Sequence, residues 1–198
     1  KGLDHPWGLA FLPEGRLLVT ERAGRMRIIE RDGRLNEPLT GLPPVVAAGQ
    51  GGLLDVVLHP QFATNQLVYW SFSEAGPGGA GTAVARGRLE GMALRDVQVI
   101  FRQQPKVGGG NHFGSRLVFA RDGRLYVGLG DRFHRKDDAQ ALDNHMGKVV
   151  RIEADGAVPS DNPFAARAGA KPEIWSLGHR NIQGAALHPP SGGLWTTE

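Results

Sequence analysis

The sequence predicts an all-β fold, a β-propeller of four-stranded antiparallel blades, on three observations. The first is turn chemistry: of 198 residues, 29 are Gly and 13 are Pro, residues that punctuate short elements and interrupt long helices. The second is an internal repeat, in which an apolar strand end, a turn and a second apolar strand recur along the chain. The third is the uneven, blade-sized spacing of that repeat, as in sheets stacked about an axis with insertions between strands.

The first unit joins Gly8-Leu9-Ala10-Phe11 to Pro13-Glu14-Gly15-Arg16-Leu17-Leu18-Val19. Arg25-Met26-Arg27-Ile28 follows, alternating as a half-buried strand does. The second unit joins Asp55-Val56-Val57-Leu58-His59-Pro60 to Gln66-Leu67-Val68-Tyr69-Trp70, and the third joins Leu117-Val118-Phe119 to Arg124-Leu125-Tyr126-Val127. The fourth joins Ala185-Ala186-Leu187-His188-Pro189 to Gly192-Gly193-Leu194-Trp195. Asp32-Gly33, Asp122-Gly123 and Asp155-Gly156 supply the positive φ that tight turns between twisted strands need. An ordinary β-sandwich shares the short strands, but the repeat favours a propeller. Equivalent points lie roughly 50 to 70 residues apart, so the chain holds about three to three and a half blades. Residues 1–198 therefore read as the N-terminal part of a single propeller domain, incomplete at its C-terminal end.

Composition excludes several classes. About a quarter of the residues are Leu, Ile, Val or Phe, too many for a disordered chain. No run approaches the roughly 18 apolar residues of a membrane span. With no Cys there is no disulfide, thiolate metal site, iron–sulfur centre or Cys nucleophile. Net charge is +3, and the arginines from Arg16 to Arg34 are interleaved with Glu14, Glu21, Glu30 and Asp32. That run reads as a solvated strand face, and no nucleic-acid partner is expected.

Ligand sites on such folds lie on polar, Gly-rich loops. Three loops qualify. In Ala48-Gly49-Gln50-Gly51-Gly52, Gln50 offers both a donor and an acceptor, although most loops of this kind are plain turns. In Gly108-Gly109-Gly110-Asn111-His112-Phe113-Gly114, His112 is the one side chain that titrates near neutrality. It is either a general base or a His packed at a strand start. In Gly178-His179-Arg180-Asn181-Ile182-Gln183-Gly184, Arg180 suits a carboxylate or a developing oxyanion, or a salt bridge between blades. His59 and His188 hold equivalent repeat positions, which points to structure. Asp131 through Asp138 reads as a solvated charged loop and not as a metal site.

Taken in order, these loops resemble a known family, as do Met146-Gly147-Lys148-Val149-Val150-Arg151, His5-Pro6-Trp7-Gly8 and Asp161-Asn162-Pro163-Phe164. It is the soluble glucose/aldose sugar dehydrogenases that depend on pyrroloquinoline quinone (PQQ), six-bladed quinoprotein propellers of the bacterial periplasm. The resemblance runs along the whole chain. It implies oxidation of the C1 hydroxyl of an aldose to a lactone, with hydride transfer to PQQ. Residue by residue, it makes His112 the catalytic base and Arg180 and Asn181 contacts to the quinone. Gln50 would lie by sugar and cofactor, and Asn111 by the sugar. Strict glucose dehydrogenases carry Asp where this chain has Asn111, which points to the broader aldose branch and leaves His112 without charge support from that position. Ser115 replaces a Gly common in the motif.

The resemblance also implies Ca²⁺ bound with PQQ, its ligands expected beyond Glu198. No metal ligand is therefore expected in this chain, and the isolated 198 residues are expected to be inactive. It further implies a periplasmic or artificial electron acceptor and allows a homodimer. Two other readings stand beside it, a non-catalytic extracellular binding propeller and a metal-dependent lactonase-type propeller. The first would lack the base, the Arg or the Gln; the second would need a carboxylate cluster at the axis.

Overall fold

The computed structural model describes residues 2–198. Its strands form four antiparallel sheets, each a meander in chain order. Three strands make the first sheet, β1 (Pro6–Phe11), β2 (Leu17–Glu21) and β3 (Arg25–Ile29). The second has four, β4 (Leu53–Leu58), β5 (Leu67–Gly76), β6 (Gly79–Glu90) and β7 (Ala93–Arg102). The third also has four, β8 (Gly114–Phe119), β9 (Leu125–Leu129), β10 (Lys148–Ile152) and β11 (Ile174–Leu177). β12 (Gly184–Leu187) and β13 (Leu194–Thr197) form the last sheet. The first strands of successive sheets, β1, β4, β8 and β12, pack in sequence. They form the inner wall of a propeller, as the repeat predicts.

β5 is buried on both faces from Val68 to Ser73, which explains why its opening Leu67-Val68-Tyr69-Trp70 is apolar without alternation. Val68, Trp70 and Phe72 point into the core shared with the first sheet, beside Leu18, Met26 and Ile28. Tyr69, between them, points into the core shared with the third sheet, beside Leu117, Val127 and Val150. The period of two thus distributes one strand between two cores.

Hydroxyl groups stitch the inner wall. Gly8 N–H donates to Thr20 Oγ1 at 2.8 Å, and that hydroxyl donates to Leu54 O at 2.5 Å in the next sheet. One sheet on, Asp55 N–H donates to Ser71 Oγ at 3.0 Å, and Ser71 Oγ donates to Ser115 O at 2.7 Å. Each hydroxyl therefore joins its own inner strand to the following one. Asp55 adds a second tie, accepting Leu117 N–H at 2.9 Å and the Arg116 guanidinium at 3.2 Å. Burial raises the Asp55 carboxyl above the usual carboxylate range despite these partners.

The Asp-Gly turns behave as their chemistry requires, with φ of 87° at Gly33, 88° at Gly123 and 95° at Gly156. His59 and His188 are structural in both repeats. The His59 ring accepts Gln61 N–H at 3.0 Å and packs edge-on to Phe119, while His188 stacks on Trp195.

Candidate active site

The loops that enter β4, β8 and β12 all open at one end of the sheets, and they carry Gln50, Asn111–His112 and Arg180–Asn181. The loop leaving β9 arrives at the same end, because β9 is antiparallel to β8 and Gly114 pairs with Leu129. That loop carries Asp131. Five residues singled out from sequence are thus brought together, and a sixth joins them.

His112 is held on three sides. Its backbone N–H donates to Gln50 Oε1 at 2.7 Å. Its Nδ1 lies 2.8 Å from Asp131 Oδ1, and Phe133 packs edge-on against its ring at 5.1 Å between centroids. The carboxylate can only accept, so Nδ1 carries a proton, and in the neutral ring the lone pair is on Nε2. Asp131, 0% exposed, also accepts Phe133 N–H at 2.8 Å and Arg180 Nη1 at 2.5 Å. Arg180 keeps a side chain 45% exposed, so the other arms of its fork remain available to a ligand. Of the two roles read from sequence, the salt bridge is present, to Asp131, and the rest of the fork is open to solvent.

Asn181 Oδ1 accepts Gly114 N–H and Gln183 Nε2, each at 3.0 Å, which turns its Nδ2 donors to other partners. Glu198 secures this loop by accepting Arg180 N–H at 2.6 Å and His179 Nδ1 at 2.9 Å. Burial pushes the Glu198 carboxyl upward, but the Arg180 amide and His179 outweigh it and hold it below the usual range. Asn111 is exposed, and its side chain makes no hydrogen bond among the described residues.

The 131–138 loop departs from its sequence expectation of a solvated charged run. Asp131 and Arg132 are fully buried, and only the stretch from Phe133 onward reaches solvent. The reason is pairing over long sequence separations: the loop folds back onto His112 and Arg180, so its first charges meet partners instead of water. Charge support for His112, absent at Asn111, comes from Asp131. A sequence signal for Asp131 does exist, since acids also end or follow the second strands of the first and last sheets, at Glu21 and Glu198. Glu21 fixes the loop entering its own sheet by accepting Asp4 N–H at 2.6 Å.

Beside the site, Trp7, Arg22, Gln50, Leu54, Phe113 and Gln183 line an axial cavity of about 150 Å³. A larger hollow of about 530 Å³ lies at the rim between Pro77 and Lys171 and touches none of the site residues. The donor set at the axial end, a half-exposed guanidinium, free amide N–H groups and an imidazole, fits the oxygens of an anionic quinone. Calcium finds no such match: among the described residues no group of three or more His, Cys, Asp or Glu could hold a metal ion. No described helix is long and apolar enough to cross a membrane.

A family model described as "Glucose / Sorbosone dehydrogenase" matches residues 3–198. The chain is 49% identical over 200 residues to "Aldose sugar dehydrogenase YliI" of Escherichia coli K12, covering 99% of this chain and 54% of that protein. The apo structure of the soluble aldose sugar dehydrogenase from Escherichia coli superimposes with a TM-score of 0.95 at 48% identity, covering 98% of this chain and 57% of that one. The PQQ-bound aldose sugar dehydrogenase from Streptomyces coelicolor gives a TM-score of 0.86 at 33% identity, covering 100% of this chain and 57% of that one. The chain spans about half the length of the curated relatives it matches.

Proposed function

We propose a reaction for this chain, which belongs to the glucose/sorbosone dehydrogenase family: oxidation of the C1 hydroxyl of an aldose to the lactone, with PQQ as acceptor. The observation that carries the proposal is the His112–Asp131–Arg180 chain of contacts, 2.8 Å and 2.5 Å long. It presents an imidazole, with its Nδ1 turned to a carboxylate, and a guanidinium side by side at the axial mouth.

In this reading His112 Nε2 takes the proton from the C1 hydroxyl, while Asp131 holds the ring's tautomer and stabilises the imidazolium that forms. The C1–H electron pair leaves as hydride and the C1–O bond gains its second bond. When bound, PQQ supplies the two-electron acceptor for that hydride. Arg180 and Asn181 would hold the quinone through its oxygens, and Arg180 would offset negative charge there. Gln50, fixed through His112 N–H, keeps its amide donors for sugar or cofactor, and exposed Asn111 faces the sugar. Calcium ligands come from outside these 198 residues, which form one part of a single propeller domain. The protein works in the periplasm and passes electrons to an acceptor there.

The PQQ- and Ca²⁺-loaded full-length protein, assayed by dye reduction with glucose and other aldoses, tests the reaction. His112→Ala is expected to bind PQQ yet lose turnover. Turnover equal to wild type in that variant, or no spectral change of bound quinone on adding any aldose, contradicts the proposal. A non-catalytic binding propeller predicts the second of these results.

A further inference from the structure

Arg132 directly follows Asp131, but its side chain turns away from the mouth and makes no ion pair among the described residues. It is 1% exposed. All of its polar contacts go to backbone carbonyls. Nε donates to Asn111 O at 3.0 Å, Nη2 to Gly109 O at 2.6 Å, and Nη1 to Ala80 O at 2.5 Å in the neighbouring sheet. The guanidinium lies 3.6 Å from the centre of the Phe113 ring. The Arg132 backbone N–H donates to His112 O at 3.2 Å. The contacts therefore fall on residues 109, 111, 112 and 113, immediately around the imidazole that Asp131 holds.

Such an arrangement is costly. A buried cation without a counter-charge is poorly solvated, and burial brings this guanidinium down to about 10. Arg132 and Phe133 have φ of 56° and 67°, a left-handed pair that side chains disfavour. The loop it grips begins Gly108-Gly109-Gly110, the most freely rotating start a loop can have. Something must remove that freedom if a base is to stand in one place, because misplacement by about 1 Å can cost about 100-fold in rate.

We propose that Arg132 is a positioning residue for the reaction: a clamp whose planar fork locks the Gly109–Phe113 segment against the second sheet and so fixes His112 over its reacting proton. This rests on the reading of His112 as the base. The fork matters as well as the charge. The three carbonyls are met by three separate nitrogens, Nε, Nη1 and Nη2, and the single ammonium nitrogen of a lysine on its flexible stem cannot occupy all three positions.

The test compares Arg132→Lys, Arg132→Met and Phe113→Leu with wild type in the PQQ-loaded full-length protein. The expected result for Arg132→Lys is a kcat lowered about 100-fold, with the aldose KM and the PQQ dissociation constant nearly unchanged. Phe113→Leu keeps the hydrogen bonds and removes the ring, so it is expected to fall between; it carries the test if the Arg132 variants do not fold. Independently of turnover, the proton NMR signal of His112 Nδ1–H bound to Asp131 is expected in wild type and lost or broadened in Arg132→Lys. Unchanged kcat with an unchanged His112 signal overturns the clamp. So does a fall in which kcat, aldose affinity, PQQ affinity and thermal stability all decline together. A wild type that oxidises no aldose negates the reaction, yet the NMR comparison still decides the clamp.

Discussion

Replacing Asp131 by Asn preserves the shape of the most deeply buried side chain at the site while removing its charge. The carboxylate accepts three hydrogen bonds, from His112 Nδ1 at 2.8 Å, Phe133 N at 2.8 Å and Arg180 Nη1 at 2.5 Å. An amide can keep its oxygen toward the first two, but its NH₂ then faces the Arg180 guanidinium, donor against donor. Hydrogen bonds to charged groups contribute about 1.5–3 kcal/mol each, and the Arg180 bond is discounted to about 1 kcal/mol because that side chain is half exposed. The expected loss of stability is about 2–4 kcal/mol. For turnover, the Asn variant loses the charge that stabilises an imidazolium, and a positioned base contributes about 10²–10⁴-fold. The expected kcat is therefore lower by about 10²-fold or more, with PQQ still bound. Steady-state dye reduction by the loaded protein gives the rate, and thermal denaturation gives the stability. An Asp131→Asn protein that matches wild type in kcat would refute the assignment of Asp131 as the group that supports His112.

Three further outcomes follow from the packing. Lys148, fully buried, donates to Asp138 O and Ala139 O at 3.0 Å and to Met146 O at 2.6 Å, and burial lowers it from 10.5 to about 8. The unfolded chain therefore holds this proton where the folded chain has begun to release it. This group makes stability rise with pH between about 8 and 10.5, by up to about 3 kcal/mol. Urea denaturation at several pH values is expected to show that slope in wild type and a flatter one in Lys148→Met, and equal slopes would contradict the burial argument. Ser71→Ala leaves Asp55 N–H and Ser115 O without their partner, and is expected to lower stability by about 2–4 kcal/mol in the same assay. Gly114→Ala places a Cβ 2.6 Å from Leu129 C and 2.7 Å from Gly130 N at a φ of +64°. The expected loss is about 3 kcal/mol or more, read as a fall in Tm, because neither backbone atom can move without breaking the β8–β9 ladder.

The blades were legible because their cause is local. Leu17 to Val19 and Leu125 to Val127 repeat one strand pattern, and Gly33 and Gly123 hold the same left-handed turns in the fold that their Asp-Gly pairs imply. β7 and β11, the outermost strands, left weaker traces. β7 is exposed along much of its length and its pairing with β6 is broken by irregular register, so neither period is clean. At the site, Gln50, His112, Arg180 and Asn181 stood out as polar residues flanked by glycines. Asp131 and Arg132 did not, since a run of Asp, Arg, His and Lys reads as solvated until its partners are known. Those partners lie 19 and 49 residues away for Asp131 and as far as Ala80 for Arg132. Their burial is a property of the assembled loops, and the recurrence of an acid after the second strand, at Glu21 and Glu198, is the one sequence trace of Asp131. Lys148 is hidden for the same reason, because its three carbonyl partners come from a loop that turns back over the start of β10.

The central claim is that hydride leaves C1 of an aldose for bound PQQ while His112 takes the hydroxyl proton. Its most direct test is a single turnover of the PQQ- and Ca²⁺-loaded full-length protein, mixed rapidly with glucose carrying hydrogen or deuterium at C1. The account predicts loss of the oxidised quinone absorbance, slower with deuterium in wild type and absent on that timescale in His112→Ala. Quinone reduction that proceeds equally fast in His112→Ala, or none at all in wild type with any aldose, would contradict it.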